Sequence, residues 1–332
     1  MGRGHDATAW CYVSGWVSVL ETQLLGKDTY RTLLDSGDPE TAWGVLSKTG
    51  YRSYFDGPKD LRHFEQAVRR FSKEQQAALR ALCPERDLMA FFEFDQRYRT
   101  ERARWMGPEG KEDREAGPSF TVEAFLRAFP EILFSEDDIA SFRAALDGEN
   151  RRGRSTYGMS STERSTFLDA LYLSLLLTWA RQWPGTLIQE YVECYVGLKV
   201  AMVVLRGVEH RRDMGHLDRY LFLGPLRTAL VAELLEREEY PDVSTLVETL
   251  LPDGLSMPGE VDSSLEAFQG AAERFLLETV WPARYVVFGP EKVFGYLCGL
   301  QNQEVNMRLC LSAVLYRLDP RRIAEQLRPT YV

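Results

Sequence analysis

Apolar residues recur along this chain at the spacing of a helix. Near its start, one apolar helical stripe is formed by Val13, Trp16, Val17, Leu20 and Leu24. These positions correspond to i, i+3, i+4, i+7 and i+11, which lie on one face of a helix. No long run alternates between apolar and polar residues, and the best strand candidate is the short segment 285–288. The pattern therefore predicts an all-α fold.

Proline-containing turns mark where several helices should begin. Proline is favoured in the first turn of a helix, after a residue that caps the free backbone N–H groups. Such starts are predicted at Asp38–Pro39, Gly289–Pro290 and Asp319–Pro320. Ser72 with Gln75 and Ser135 with Asp138 resemble capping boxes, which also begin helices. Gly26 is predicted to end one.

Two short patterns each occur three times along the chain. An apolar residue, a turn with acidic character and a second apolar residue recur at 25–30, 134–139 and 255–261. A helix with basic residues on an apolar frame recurs at 95–105, 194–205 and 303–314. The spacing is near a third of the chain, which predicts three similar helical domains, at 1–106, 107–207 and 208–332. Chance similarity between amphipathic helices is the alternative explanation.

Charge and cysteine content narrow the class of protein. The 332 residues carry a formal net charge of −9, which argues against sequence-independent binding to nucleic acid because that needs a basic face.

The longest apolar stretch, Ala170 to Ala180, is well short of the roughly 20 residues that cross a bilayer. The five cysteines are widely spread and never form a CxxC pair. Buried free thiols in a reducing cytoplasm are therefore predicted.

The common catalytic motifs do not occur in the chain. GxSxG and HExxH are absent, and a P-loop at Gly26–Lys27 fails because Glu21 and Asp28 occupy positions that require other residues. We therefore expect no catalytic residue and no cofactor, and a protein that holds other proteins.

The best metal candidate is a polar segment that contains Glu209, His210, Asp213, His216 and Asp218. His210 and His216 are six residues apart, which puts them on different faces of a helix. Two arginines between them would repel a cation. A polar turn between helices explains the segment better, and we expect no metal. The alternative function is a helical metal- or small-ligand-binding enzyme with its site near His210, Asp213 and His216.

Both ends of the chain carry residues in a characteristic order. The N-terminal set is Tyr12, Val13, Val17, Leu20, Glu21, Leu24, Leu25, Tyr30, Leu33, Leu34, Leu46, Thr49 and Tyr51. The C-terminal set is Phe288, Gly289, Pro290, Glu291, Gly295, Tyr296, Asn306, Arg308, Leu327, Arg328, Tyr331 and Val332. In order and in distance from the chain ends, these residues resemble the C subunits of the V-type and A-type rotary ATPases, the homologues of the eukaryotic V-ATPase d subunits. The middle of the chain resembles the family in helical pattern and length.

Four positions depart from the family pattern. Trp16 and Ser18 stand where the family has arginines, and Gln303 stands where it has an acidic residue. Gly197 stands where the repeat favours asparagine. At these four positions the role of the family residue does not carry over directly to this chain. The overall resemblance is unaffected.

The resemblance implies a funnel of three helical domains related by pseudo-threefold symmetry. One end would sit on the cytoplasmic face of the membrane proteolipid ring, and the other would receive the central shaft, which the D and F subunits form. The protein would be a non-catalytic rotor component that couples ATP hydrolysis or synthesis to ion transport. It would be cytoplasmic and peripheral, and it would touch the membrane only through the ring.

The family residues are expected to be structural. They are Tyr12, Glu21, Gly289, Pro290, Glu291, Tyr296, Asn306, Arg308, Leu327, Arg328 and Tyr331. Asn306 and Arg308 are expected to brace one helix against another or to cap a neighbouring carbonyl. Tyr331 is expected to pack the C-terminal segment into the last domain. Glu21 is expected to pair with Arg308 across the two ends of the chain.

Overall fold

All regular structure in the described part of the chain is helical. The computed structural model describes residues 7–55, 60–106, 121–151, 161–209, 243–252, 254–257 and 264–332. No strand is present in these ranges, so the all-α prediction is confirmed. The strand candidate at 285–288 is wrong, because a 3-10 helix at Trp281–Tyr285 leads into an irregular turn there.

The chain divides into two compact units. We call Ala90–Ala272 the internal unit, and we call Gly4–Met89 with Glu273–Val332 the terminal unit. The first helices of the terminal unit are α1 (Ala7–Glu21), α2 (Lys27–Asp35), α3 (Pro39–Leu46), a 3-10 turn (Arg52–Tyr54) and α4 (Leu61–Leu82). Helix α5 (Arg86–Met106) begins in the terminal unit and continues into the internal one.

The remaining helices follow in chain order. The internal unit contains most of α5, α6 (Val122–Leu126), α7 (Glu136–Arg151), α8 (Ser161–Ala180), α9 (Leu187–Glu209), α10 (Val243–Leu250) and the first half of α11 (Leu265–Val280). The terminal unit then resumes with the rest of α11, the 3-10 helix Trp281–Tyr285, α12 (Pro290–Tyr316) and α13 (Pro320–Gln326).

Helix α8 is the central helix of the internal unit. From Phe167 to Ala180 every side chain except Asp169 is buried. The ring of Trp179 lies 5.0 Å from that of Phe91 and 5.9 Å from that of Phe94, measured between centroids. The apolar stretch in the sequence is therefore a buried core helix. No described helix is both long enough and apolar enough to span a bilayer.

Gly197 lets α9 and α10 approach each other closely. A Cβ added at this position would collide with the backbone carbonyl of Leu250, at the end of α10. A backbone carbonyl cannot move aside as a flexible side chain can. The asparagine that the repeat would favour at this position is thus excluded sterically in this chain.

Helix α12 is the central helix of the terminal unit. It packs against α1, α2, α3 and α4, and every residue from Lys292 to Leu300 is buried. A helix surrounded by other helices is apolar on all sides. This explains why its apolar residues follow no single stripe.

Most of the predicted helix starts are confirmed. Helices α3, α12 and α13 begin at Pro39, Pro290 and Pro320, and Asp38 accepts hydrogen bonds from the N–H groups of Glu40 and Thr41. Ser135 and Asp138 form a reciprocal capping box.

Two predictions about helix ends are wrong. Ser72 begins no helix, because it is buried in the middle of α4. Gly26 ends none: α1 ends at Glu21, and Gly26 is the residue before α2.

All five cysteines lie in the described ranges and form no disulfide, as predicted. Cys83, Cys194, Cys298 and Cys310 are buried, whereas Cys11 is exposed on α1. The prediction of burial is therefore wrong for Cys11. It failed because α1 carries apolar residues on its exposed face as well as on its buried one.

Candidate partner-binding surface and its supporting core

Side-chain amides hold the C-terminal segment against α12. Asn306 Nδ2 donates to the carbonyl of Arg328 at 2.9 Å, and the Arg328 N–H donates to Asn306 Oδ1 at 2.9 Å. Asn302 Nδ2 donates to the carbonyl of Pro329 at 2.5 Å. The Arg328 guanidinium pairs with Glu273 at 2.6 Å. Asn306 therefore binds both the N–H and the carbonyl of Arg328, and in this way it holds the C-terminal segment against α12.

Tyr331 fills a slot on α12 that two glycines leave open. A Cβ at Gly299 would lie 2.7 Å from Tyr331 Cβ, and a Cβ at Gly295 would lie 2.6 Å from its hydroxyl oxygen. The Arg284 guanidinium lies 5.9 Å from the Tyr331 ring centre. Burial, and then the nearby Glu21 carboxylate, raise the pKa of Tyr331 above its ordinary value. The C-terminal segment is thus part of the core of the terminal unit.

A buried ion pair connects α1 with α12. Lys292 Nζ lies 2.6 Å from Glu21 Oε2 and donates to the carbonyl of Arg284 at 2.8 Å. The side chains of Lys292 and Glu21 are 5% and 14% exposed. The expected pairing of Glu21 with Arg308 is wrong, because Arg308 pairs with Glu304 one turn earlier on α12. Spacing in sequence could not decide between these two cations.

Gln303 joins α12 to two segments: the loop before α2, and the residues between α3 and the 3-10 turn at Arg52–Tyr54. Its Oε1 accepts from the Leu25 N–H at 2.6 Å, and its Nε2 donates to the Tyr51 hydroxyl at 3.0 Å. Gln303 is 3% exposed. An amide offers both a donor and an acceptor to these partners, whereas a carboxylate could only accept. Glutamine at this position, where the resemblance leads one to expect an acidic residue, thus suits its surroundings.

The start of α12 needs a glycine. Gly289 has φ 155°, in the region that residues with a Cβ rarely adopt. A Cβ there would also lie 2.6 Å from Glu291 Oε2. Its N–H donates to Ser14 Oγ at 3.3 Å, so this turn is attached to α1.

The other expected family residues differ in their surroundings. Tyr296 is buried, and burial raises its pKa. Leu327 is the residue that follows α13, and it is half-buried. Tyr12, in contrast, is 68% exposed and belongs to the surface of α1. All the expected family residues lie in the terminal unit.

One side of α1 is apolar and exposed. Tyr12, Trp16 and Val19 are 68%, 43% and 59% exposed, and we call these three residues with Gly15 the α1 face. The prediction that Trp16 belongs to the buried stripe is wrong, whereas Val13 and Val17 are buried as expected. The sequence does contain a signal for this face, since no charged residue occurs between Ala7 and Leu20.

A second exposed apolar segment precedes α12. Tyr285, Val287 and Phe288 are 81%, 68% and 50% exposed, and Trp281 is 36% exposed. Exposed apolar groups in clusters are typical of surfaces that bind other molecules. The α1 face and this segment are therefore the candidate partner-binding surface.

A polar cluster in the internal unit connects α5 with α8. The Tyr98 hydroxyl donates to Asp169, and Arg102 donates to Ser165 Oγ at 2.5 Å. Tyr98 also stacks on Tyr172, with ring centres 4.3 Å apart. A guanidinium cannot accept the proton of a serine hydroxyl. These contacts therefore join α5 to α8, and Arg102 cannot act as a base toward Ser165.

A small cavity lies between the 3-10 turn at Arg52–Tyr54 and α4. Phe55 and Phe64 form its apolar part, and His63 and Arg70 form its basic part. His63 Nδ1 lies 2.8 Å from Asp60 Oδ1, and Arg70 Nε lies 2.8 Å from Glu74 Oε1. Both basic groups already have a carboxylate partner, so the cavity presents no unpaired charge to an anion.

The described residues contain no group of three or more side chains placed to hold a metal ion. The metal or ligand candidate at His210, Asp213 and His216 lies outside the described residues.

Neither a scan against models of protein families nor a search of curated proteins finds a match to this chain. Membership of the rotary-ATPase family is therefore a proposal that rests on the residues at the two chain ends.

Proposed function

We propose that this protein is a non-catalytic central-stalk rotor component of a V-type or A-type ATPase. It is a socket that couples the shaft of the D and F subunits to the membrane proteolipid ring during ATP-driven or ATP-synthesising ion transport. In this role it is cytoplasmic and reaches the membrane only through the ring.

One observation carries the proposal: residues from both chain ends that carry the resemblance, among them Glu21 and Tyr331, lie in the interior of a single helical unit. Lys292 pairs with Glu21, and Tyr331 lies against Gly295 and Gly299. A part that transmits torque must resist deformation, and close-packed interiors have low compressibility. The buried central helix and its braced C-terminal segment support such a role.

The exposed apolar residues support a role in protein binding. Cores of protein–protein interfaces are enriched in aromatic residues and depleted in charged ones. The α1 face and the segment 285–288 have this composition, with Tyr12, Trp16 and Phe288 as aromatic members. A socket needs surfaces of this kind for its shaft or its ring.

The three-domain funnel, with domains at 1–106, 107–207 and 208–332, belongs to the proposal. Electron-microscope images of the purified protein test it. We expect particles with three similar lobes around a central opening. A compact particle without an opening would contradict the funnel.

Reconstitution tests the function. The catalytic head, the D–F shaft and the proteolipid ring are assembled with and without this chain, and ATP hydrolysis and ion transport are measured in vesicles. Ion transport coupled to hydrolysis is expected only when the chain is present. Coupled transport in its absence, or failure of the chain to bind both shaft and ring, would refute the proposal.

A further inference from the structure

Three exposed arginines lie in the turn that joins α12 to α13. They are Arg317, Arg321 and Arg322. Tyr316 and Leu318 in the same turn are 63% and 44% exposed, and we call these five residues the basic turn. Helix α12 has 27 residues and is therefore about 40 Å long. It separates the basic turn from the exposed apolar segment at its other end, so the two are different surfaces.

The three guanidiniums form no ion pair within the described part of the chain. The arginines before and after them in the sequence, Arg308 and Arg328, each pair with a carboxylate. Within the turn, the Asp319 carboxylate accepts a hydrogen bond from the backbone N–H of Arg321 at 3.0 Å. Glu325 lies one helical turn from Arg321 and is exposed. Three positive charges are thus open to an external anion, in a chain whose net charge is −9.

Local helix physics disfavours arginine at these positions. Arg317 has φ 53°, in the left-handed region, and the described residues include no other non-glycine residue with a positive φ. Glycine adopts this conformation at the end of a helix without steric cost. Arg321 and Arg322 lie in the first turn of α13, where the positive end of the helix dipole repels a cation. Residues that cost stability in this way point to a role in function.

We propose that the basic turn binds an acidic segment of a partner protein. Carboxylates of that segment pair with the three arginines, and an apolar side chain of the segment packs on Tyr316 and Leu318. The planar guanidinium matches a carboxylate with two parallel hydrogen bonds. Arginine and tyrosine are also enriched in the residues that carry most of the binding energy at protein interfaces. This binding surface does not depend on the proposed rotor role.

Charge and size favour a protein over a lipid or a nucleic acid as the partner. A chain with a net charge of −9 is repelled by an anionic bilayer and by nucleic acid. Recognition of anionic lipids by charge uses clusters of about four to eight basic residues, and the basic turn has three. Asp319 lies within the turn, where it repels a doubly charged phosphate more strongly than a singly charged carboxylate.

Fluorescence anisotropy with the full chain tests the proposal. The probe is a fluorescent peptide of glutamates with two leucines, and its counterpart has glutamine in place of every glutamate. We expect the glutamate peptide to bind at low ionic strength, and its dissociation constant to rise as salt is added. The glutamine peptide should not bind.

A matched pair of double variants locates the binding site. Arg321→Gln with Arg322→Gln is expected to raise the dissociation constant about tenfold, because two exposed ion pairs are lost. Arg69→Gln with Lys73→Gln removes the same charge from exposed positions of α4. This control should leave the constant unchanged.

Arg317→Gly separates binding from stability. It is expected to raise the dissociation constant roughly threefold, through the loss of one ion pair. The midpoint of thermal unfolding should rise by about 1–2 °C, because glycine suits the left-handed conformation. A residue that only supported the fold would lower that midpoint when replaced.

Three outcomes would overturn the proposal. They are no binding of the glutamate peptide, an equal loss of affinity in the α4 control, and binding of phosphatidylserine vesicles in place of the peptide. The last would assign the basic turn to lipid. None of these results bears on coupling in the reconstituted ATPase, so the basic turn and the proposed rotor role fail separately.

Discussion

At the scale of single residues, two glycines set the distance between the C-terminal segment and α12. Gly299→Ala places a methyl group where Tyr331 lies, 2.7 Å from its Cβ. Overpacking of this kind costs about 1–3 kcal/mol. We expect the free energy of unfolding, measured by urea denaturation, to fall by that amount.

The control for this change is another helical glycine in the same unit. Gly44 lies in α3, and a Cβ there meets nothing within 4 Å. Gly44→Ala should raise the free energy of unfolding by about 0.5–1 kcal/mol, because alanine is the better helix former. Equal effects of the two substitutions would contradict the slot for Tyr331.

Asn306 gives a second prediction at this scale. Asn306→Ala removes both hydrogen bonds to the backbone of Arg328. A buried donor or acceptor left without a partner costs about 1–3 kcal/mol. We expect the free energy of unfolding to fall by an amount in this range. Amide hydrogen exchange at Arg328 should also become faster, because its N–H loses its acceptor. Unchanged exchange would contradict the bracing role.

Sequence patterns located some of these residues and misplaced others. The proline starts and the Ser135–Asp138 box were predictable because capping depends on neighbours only a few residues away. Trp16 was misplaced because α1 is apolar on both sides, so periodicity does not separate its buried side from its exposed one. The partner of Glu21 was misassigned because two cations of α12, Lys292 and Arg308, were available.

At the scale of elements, the Glu21–Lys292 pair joins α1 to α12. Removal of one partner leaves a buried charge alone, which costs about 3–5 kcal/mol. Lys292→Met should therefore destabilise the protein strongly. The double variant Glu21→Leu with Lys292→Met should recover most of that loss, because no lone charge is left. A double-mutant cycle in urea measures the coupling, and additive effects would contradict the pair.

At the scale of the whole molecule, buried thiols make stability depend on alkaline pH. Burial raises the pKa of Cys83 to about 11 and of Cys310 to about 12, from an ordinary value of 9.0. Above pH 9 the unfolded chain loses these protons while the folded chain keeps them. Deprotonation therefore favours the unfolded state. The free energy of unfolding should fall between pH 9 and about 12, and the fall should be shallower in Cys310→Ala.

At this scale the all-α class was predictable from the sequence, whereas the packing of the C-terminal helix α12 against the N-terminal helices was not. Periodicity reports which side of a local helix is apolar. It contains no information about which distant helix covers that side. The burial of α12 among α1 to α4 depends on contacts across more than 200 residues, such as that between Glu21 and Lys292.

The terminal unit also has a consequence for synthesis on the ribosome. Its N-terminal helices cannot pack against α12 until α12 has been synthesised. Helix α12 follows the roughly 180 residues between Met89 and Glu273. At translation rates of about 5–20 residues per second, that delay is about ten seconds or more. Meanwhile α1 emerges with no charged residue from Ala7 to Leu20 and without α12 to cover its buried side. Nascent chains arrested before Pro290 should therefore recruit chaperones. The chaperones should dissociate once α12 has emerged from the ribosome.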